Sequence, residues 1–112
     1  MSKVTVRGIG PNDSIKTDHT VVMVKASWCG ACKKAAPQYE EQASRLAKKG
    51  SKVSFYFVDA EKVKDSPSKM VRKLIRDTGS YPTFYFIKND EVISKMGGFS
   101  KDKFVVKVSE IG

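Results

Sequence analysis

Val21-Val22-Met23-Val24-Lys25-Ala26-Ser27-Trp28-Cys29-Gly30-Ala31-Cys32-Lys33-Lys34-Ala35-Ala36 is the stretch whose reading decides the architecture. Its first four residues are apolar on both faces, as in a central strand covered by helices on each side. From Gly30 to about Lys49, the small or apolar residues Cys32, Ala35, Ala36, Tyr39, Ala43, Leu46 and Ala47 recur every three or four positions, the spacing of an amphipathic helix. Gly50 suits its C-cap, and Pro37, with no N–H and a ring that crowds the preceding turn, is expected to kink it about one turn after Cys32. The two cysteines therefore fall where a strand gives way to a helix.

Working outward, Lys3 to Arg7 alternates and reads as a first strand, and Gly8 to Asp18 as loop with at most a short helix after Asn12. Val53 to Val58 is a second buried strand. Ser66-Pro67 supplies an N-cap and a proline at the first helical position, for a helix that Gly79 closes. Thr83 to Ile87 and Glu91 to Met96 are strands joined by Lys88-Asn89-Asp90, a tight hairpin. Ser100 caps a final helix carrying Phe104, Val105 and Val108. The expected class is α/β: a central mixed sheet of about five strands with helices on both faces, its parallel part closed by right-handed crossovers. With 112 residues, the chain is read as a single domain spanning 1–112.

Hydrophobic residues make up 40% of the chain, enough for a core and against intrinsic disorder. The longest apolar stretches fall far short of the roughly 20 residues that a membrane-spanning helix needs. Met1 to Gly8 lacks the apolar segment of a secretory signal, so a cytoplasmic location is expected. Lys and Arg total 21 against 12 Asp and Glu, a net charge of +9 that favours acidic partners. Only two cysteines occur, so a disulfide-stapled scaffold is excluded. With His19 they give three of the four ligands that a structural zinc takes, and no metal is expected. A close thiol pair in a reducing compartment remains.

Cys29 sits at the helix N-terminus, among unpaired N–H groups and the positive end of the dipole, where a thiolate is favoured. Lys33 and Lys34 add positive charge one turn away. Cys32 is one turn from Cys29 and can close a disulfide with it. Gly30 and Ala31 keep the loop small enough for a substrate sulfur to approach. A bare C-x-x-C also occurs in zinc knuckles, but here a strand precedes it, a helix follows and Trp28 adjoins it, which favours redox use.

Along nearly its whole length the chain resembles the thioredoxin family. The pieces that carry the resemblance are Ala26-Ser27-Trp28-Cys29-Gly30-Ala31-Cys32-Lys33, Pro37, Asp59 ending a strand, Tyr81-Pro82-Thr83 opening the next, Lys88-Asn89-Asp90-Glu91 at the hairpin, and Met96-Gly97 before the last helix. The resemblance implies a thioredoxin-like fold and a protein disulfide reductase with no bound cofactor, acting on disulfide-containing proteins. It also implies re-reduction by a thioredoxin-reductase-like enzyme or another thiol reductant. By resemblance Cys29 is the exposed nucleophile and Cys32 the buried resolving thiol. Pro82 is a cis-proline beside them, and Trp28, Tyr81 and Gly97 form a shallow surface for the substrate chain, with Gly30 and Ala31 at its centre. A cis bond at Pro82 would expose the Tyr81 backbone to pair with an extended peptide. A monomer is expected.

Four positions depart from the family pattern. The proline between the cysteines is Ala31, which frees an amide expected to point at the Cys29 sulfur and to make the potential less negative. The buried acid of the central strand falls at Met23 and the lysine that partners it at Phe55, so both members of a polar pair are replaced by apolar residues. A tryptophan position is Lys25, which brings positive charge close to the site. Elsewhere, Lys69, Arg72, Lys73 and Arg76 form a basic stripe opposite Met70, Val71, Leu74 and Ile75. The stripe lacks the aromatic interleaving that nucleic acid would require, and a solvated helix face is its simplest reading. His19 is expected at the surface. The alternative function class is a thioredoxin-like binding subunit that docks on an acidic protein or a nucleic-acid enzyme, with redox activity incidental.

Overall fold

Val21, Val22, Met23 and Val24 are each at most 1% exposed, as β-branched and apolar residues must be in a strand covered on both faces. The computed structural model describes residues 5–112. The order is β1 (Val6–Gly8), β2 (His19–Lys25), α1 (Gly30–Lys48), β3 (Ser54–Asp59), α2 (Lys69–Asp77), β4 (Thr83–Lys88), β5 (Glu91–Gly97) and α3 (Lys101–Ile111). The strands form one mixed sheet in the order β1-β3-β2-β4-β5. β3 runs parallel to β1 and to β2, whereas β4 is antiparallel to β2 and β5 to β4.

Alternation along the strands sends their side chains into two cores. On one face Val21, Met23, Phe55, Phe84 and Phe86 meet Cys32, Ala35, Tyr39 and Ala43 of α1 and Phe104, Val108 and Ile111 of α3. On the other, Val22, Val24, Val58, Tyr85 and Ile87 meet Val71 and Leu74 of α2. The Tyr39 hydroxyl, buried among these apolar groups, donates to the Tyr56 carbonyl at 2.8 Å and lies 3.3 Å from that of Val21. Phe57 passes close over β1: a Cβ at Gly8 would lie 2.7 Å from the ring, so a larger residue there would force the ring to shift.

Several boundaries differ from the sequence reading, each for a local reason. Of the stretch read as the first strand, Lys3 and Val4 lie outside the described residues and β1 begins at Val6. No helix follows Asn12. α2 starts at Lys69, not at Pro67, because Ser68 is its N-cap and accepts the Val71 amide at 3.3 Å. Ser66 is instead fully buried, its hydroxyl on the Ser68 amide. Gly79 does not end this helix; Thr78 does, turning extended while its hydroxyl donates to the Leu74 carbonyl. Ser100 precedes α3 without a capping hydrogen bond, and Val105 is 40% exposed while Ile111 takes the core position.

Lys49 is the C-cap of α1, and Gly50, at φ +90°, is the left-handed residue just beyond it. The helix passes through Pro37 and continues to Lys48. Within it Ala47 is exposed and Gln42 buried, the reverse of their polarity. His19 is half-buried, not a surface residue, because its Nδ1 meets the Ile111 carbonyl and ties the end of α3 to the start of β2. The hairpin is as read: Asn89 and Asp90 both have positive φ, a two-residue turn between β4 and β5.

Candidate active site

Cys29 is the N-cap of α1. An N-cap side chain accepts from the second or third helical amide, and here it is the third, that of Cys32, whose N–H donates to Cys29 Sγ at 3.1 Å. The donor expected from the sequence was the amide of Ala31. The bond observed comes from the residue one further along, so the Ala31 expectation is corrected.

Both cysteines are free thiols, and both are buried, Cys29 at 6% exposure and Cys32 at 2%. The expected contrast between an exposed and a buried sulfur is thus one of depth and hydrogen bonding. Burial pushes the Cys32 thiol up to about 11, and the adjoining Cys29 sulfur adds to the rise. The Ala26 backbone and the charge of Lys25 pull the other way.

The other expected contacts fall into two groups. Trp28, 68% exposed, stands edge-on to Tyr81 with ring centroids 5.8 Å apart. Tyr81 is half-buried and packs against the same core that holds Cys29 and Cys32. The Tyr81–Pro82 bond is cis, as the resemblance implied. Pro82 is buried, and its carbonyl accepts the Gly98 amide at 2.9 Å, which brings the exposed Gly97 alongside. Gly30 and Ala31 are exposed on the first turn of α1, and a Cβ at Gly30 would meet nothing within 4 Å. A groove of about 660 Å³ leads away from Gly97 and Gly98 between β5 and α3, with Phe99 and Val106 on its walls.

His19 lies at the opposite end of β2, about 20 Å away at the rise of a β-strand, so it cannot join the thiols in holding a metal ion.

The thioredoxin family model matches residues 12–110 of the chain. The chain belongs to the thioredoxin family. It is 35% identical to thioredoxin H9 of Arabidopsis thaliana over 91 residues, which is 81% of this chain and 58% of that one. It is 31% identical to mouse protein disulfide-isomerase A4 over 110 residues, 96% of this chain and 16% of the relative. The chain thus spans less than two thirds of the length of these relatives. In fold it superposes on the thioredoxin of Malassezia sympodialis with a TM-score of 0.75 at 24% identity, over 99% of this chain and 94% of the other.

Against that thioredoxin background, the apolar substitutions read from the sequence form one patch. Met23 and Phe55 are 1% and 3% exposed and belong to the core cluster that contains both cysteines. Between β2, α1 and the ring of Phe57 lies a cavity of about 130 Å³, lined by Met23, Lys25, Ala36, Tyr39 and Glu40 among others. Lys25 Nζ sits over the Phe57 ring, 5.0 Å from its centroid. The charge of Lys25 was legible in the sequence; the cavity was not, because it depends on where β3 places Phe57.

Proposed function

We propose that this chain reduces disulfide bonds in proteins. Cys29 attacks a substrate disulfide and releases one substrate thiolate as the mixed disulfide forms. Cys32, as thiolate, then attacks Cys29 Sγ, releases the second substrate thiolate and closes the Cys29–Cys32 disulfide. Two electrons pass to the substrate, and the Cys32 proton leaves to water or to the departing thiolate. The observation that carries this reading is the capping geometry: one sulfur at the helix N-terminus accepting an amide, the other one turn deeper and held as a thiol. Trp28, Gly30, Ala31, Tyr81, Pro82 and Gly97 receive the substrate chain around the dithiol.

A thioredoxin-reductase-like enzyme or another thiol reductant returns the electrons, in the cytoplasm and with the protein as a monomer. A sequence whose two cysteines both belong to the redox pair, with none left for a structural disulfide, suits a reducing compartment, and among the described residues no helix is long and apolar enough to cross a membrane.

The test is a pair of variants. Cys29→Ser abolishes turnover, whereas Cys32→Ser still attacks and accumulates mixed disulfides that mass spectrometry places on residue 29. Adducts on Cys32 in the Cys29→Ser protein would reverse the roles. The similarity to protein disulfide-isomerase A4 supports a second reading, disulfide rearrangement. Rearrangement needs only the attacking sulfur, so Cys32→Ser would keep it while losing net reduction. If a protein lacking both cysteines retained its cellular activity, docking would be its work instead.

A further inference from the structure

Met23 offers the resolving step no carboxylate to take the Cys32 proton, yet two positions along the strand Lys25 supplies a cation. Lys25 follows Met23 by two positions on β2, so both point to the face where α1 packs. Met23 and Ala36 form part of the cavity into which Lys25 reaches, and Ala36 lies one turn along α1 from Cys32. Lys25 is half-buried, and its ammonium rests on the Phe57 ring. The ring in turn is seated against Gly8, where no side chain can displace it. The contact with the ring draws the ammonium toward the cavity wall.

We propose that Lys25 is a positioning residue for resolution: its ammonium, held over Phe57 at the cavity that Met23 and Ala36 line, stabilises the negative charge Cys32 carries as it attacks the mixed disulfide. The proposal rests on the reductase reading. The direction of the electrostatics agrees, since Lys25 opposes the rise that burial imposes on the Cys32 thiol.

Two carboxylates and a phenol lie around Lys25. Asp59 is its register partner on β3, and its carboxylate accepts the Glu61 amide at 3.0 Å. Glu40 reaches the cavity from the exposed side of α1. Among the described residues neither forms an ion pair with Lys25. Tyr39, also on the wall, stays protonated, because burial pushes its phenol well above the usual range. Cys29 is spent in the mixed disulfide at this step and carries no charge. A partly buried ammonium is screened less than a surface one, so its influence should persist at physiological salt.

The experiment follows both thiols released when the reduced 112-residue protein meets an aromatic disulfide in single-turnover flow, across pH. The first release reports attack by Cys29 and the second reports Cys32. Lys25→Met, which keeps an apolar contact with Phe57, is expected to slow the second release about three- to tenfold at neutral pH. Its pH profile should move upward by about half to one unit, while Lys25→Arg stays near wild type. Titration of the Cys32 thiolate by ultraviolet absorbance in a Cys29→Ser background, with and without Lys25→Met, gives the same displacement without turnover. Lys25→Gln serves if the methionine variant does not fold. Superposed profiles for wild type and Lys25→Met would overturn the proposal, as would an equal loss in Lys25→Arg, which would mark Lys25 as structural only. If the wild-type protein released no second thiol, the reductase reading itself would fail.

Discussion

Met23 and Ala31 are single residues with unequal consequences for the chemistry. Met23 is buried beside the cysteines and offers nothing to accept a proton, while Cys32 holds its proton up to about 11. The resolving rate should therefore climb about tenfold per pH unit through neutrality, with no separate carboxylate inflection in the rate profile. Introducing Met23→Asp should destabilise the fold by about 2–4 kcal/mol, the cost of burying an acid in an apolar core. In the protein that still folds, single-turnover resolution at neutral pH should become faster; an unchanged rate would show that proton acceptance here is not limiting. For Ala31 the hydrogen bond decides. The donor on Cys29 Sγ is the Cys32 amide, which Ala31→Pro leaves in place. Equilibration with glutathione should then find a potential within about 30 mV of wild type. A larger shift would mean that the Ala31 amide does act on the sulfur.

At the scale of elements, α2 carries Lys69, Lys73 and Arg76 exposed on its outer side, while the Arg72 guanidinium is turned inward to donate to the Ser66 carbonyl at 2.6 Å. The stripe read from the sequence thus loses one member to structure. Replacing Lys69, Lys73 and Arg76 by glutamine should lower the rate of reduction of an acidic protein substrate about tenfold at low salt. Reduction of a small neutral disulfide should be unaffected, and equal losses for both substrates would place the effect in stability. Elements whose signals are local were legible in the sequence: β2 from its apolar run, α1 from its spacing, the hairpin from Asn89 and Asp90. Errors arose where two residues competed for one role. Ser66-Pro67 carries a strong helix-start signature, but tertiary packing buries Ser66 and the quieter Ser68 makes the cap. Ile111 was overlooked near the chain end because its place in the core depends on α3 docking across β2, where its carbonyl also meets His19. The contact residues of the site were named by resemblance; their proximity required β4 and β5 to be folded beside α1.

For the whole molecule, two buried groups set the response to alkali. The unfolded chain releases the Cys32 proton from about the ordinary 9.0, whereas the fold retains it to about 11. Above the lower value the unfolded state binds fewer protons than the native one, so stability is complete below 9.0 and falls as pH rises towards 11. Tyr39 acts in the same direction at higher pH, its phenol raised by burial in spite of the bond to Tyr56. Urea unfolding across this range should show the reduced protein losing stability faster than the oxidised one, in which Cys32 has no proton to lose. Tyr39→Phe should cost about 1–2 kcal/mol at neutral pH through the missing hydrogen bond, yet flatten the remaining alkaline slope. A slope unchanged by both oxidation and this substitution would assign the sensitivity elsewhere. The placement of Trp28 has a further, optical consequence. It is the only tryptophan in the chain, it stands in water at 68% exposure next to Cys29, and among the described residues its one aromatic neighbour is Tyr81 across the site. Its emission already comes from a polar environment in the native state, so unfolding will change its colour little. A partner chain settling over the dithiol will dry the indole and shift its light to the blue, giving this protein a built-in lamp for docking that is nearly blind to its own denaturation.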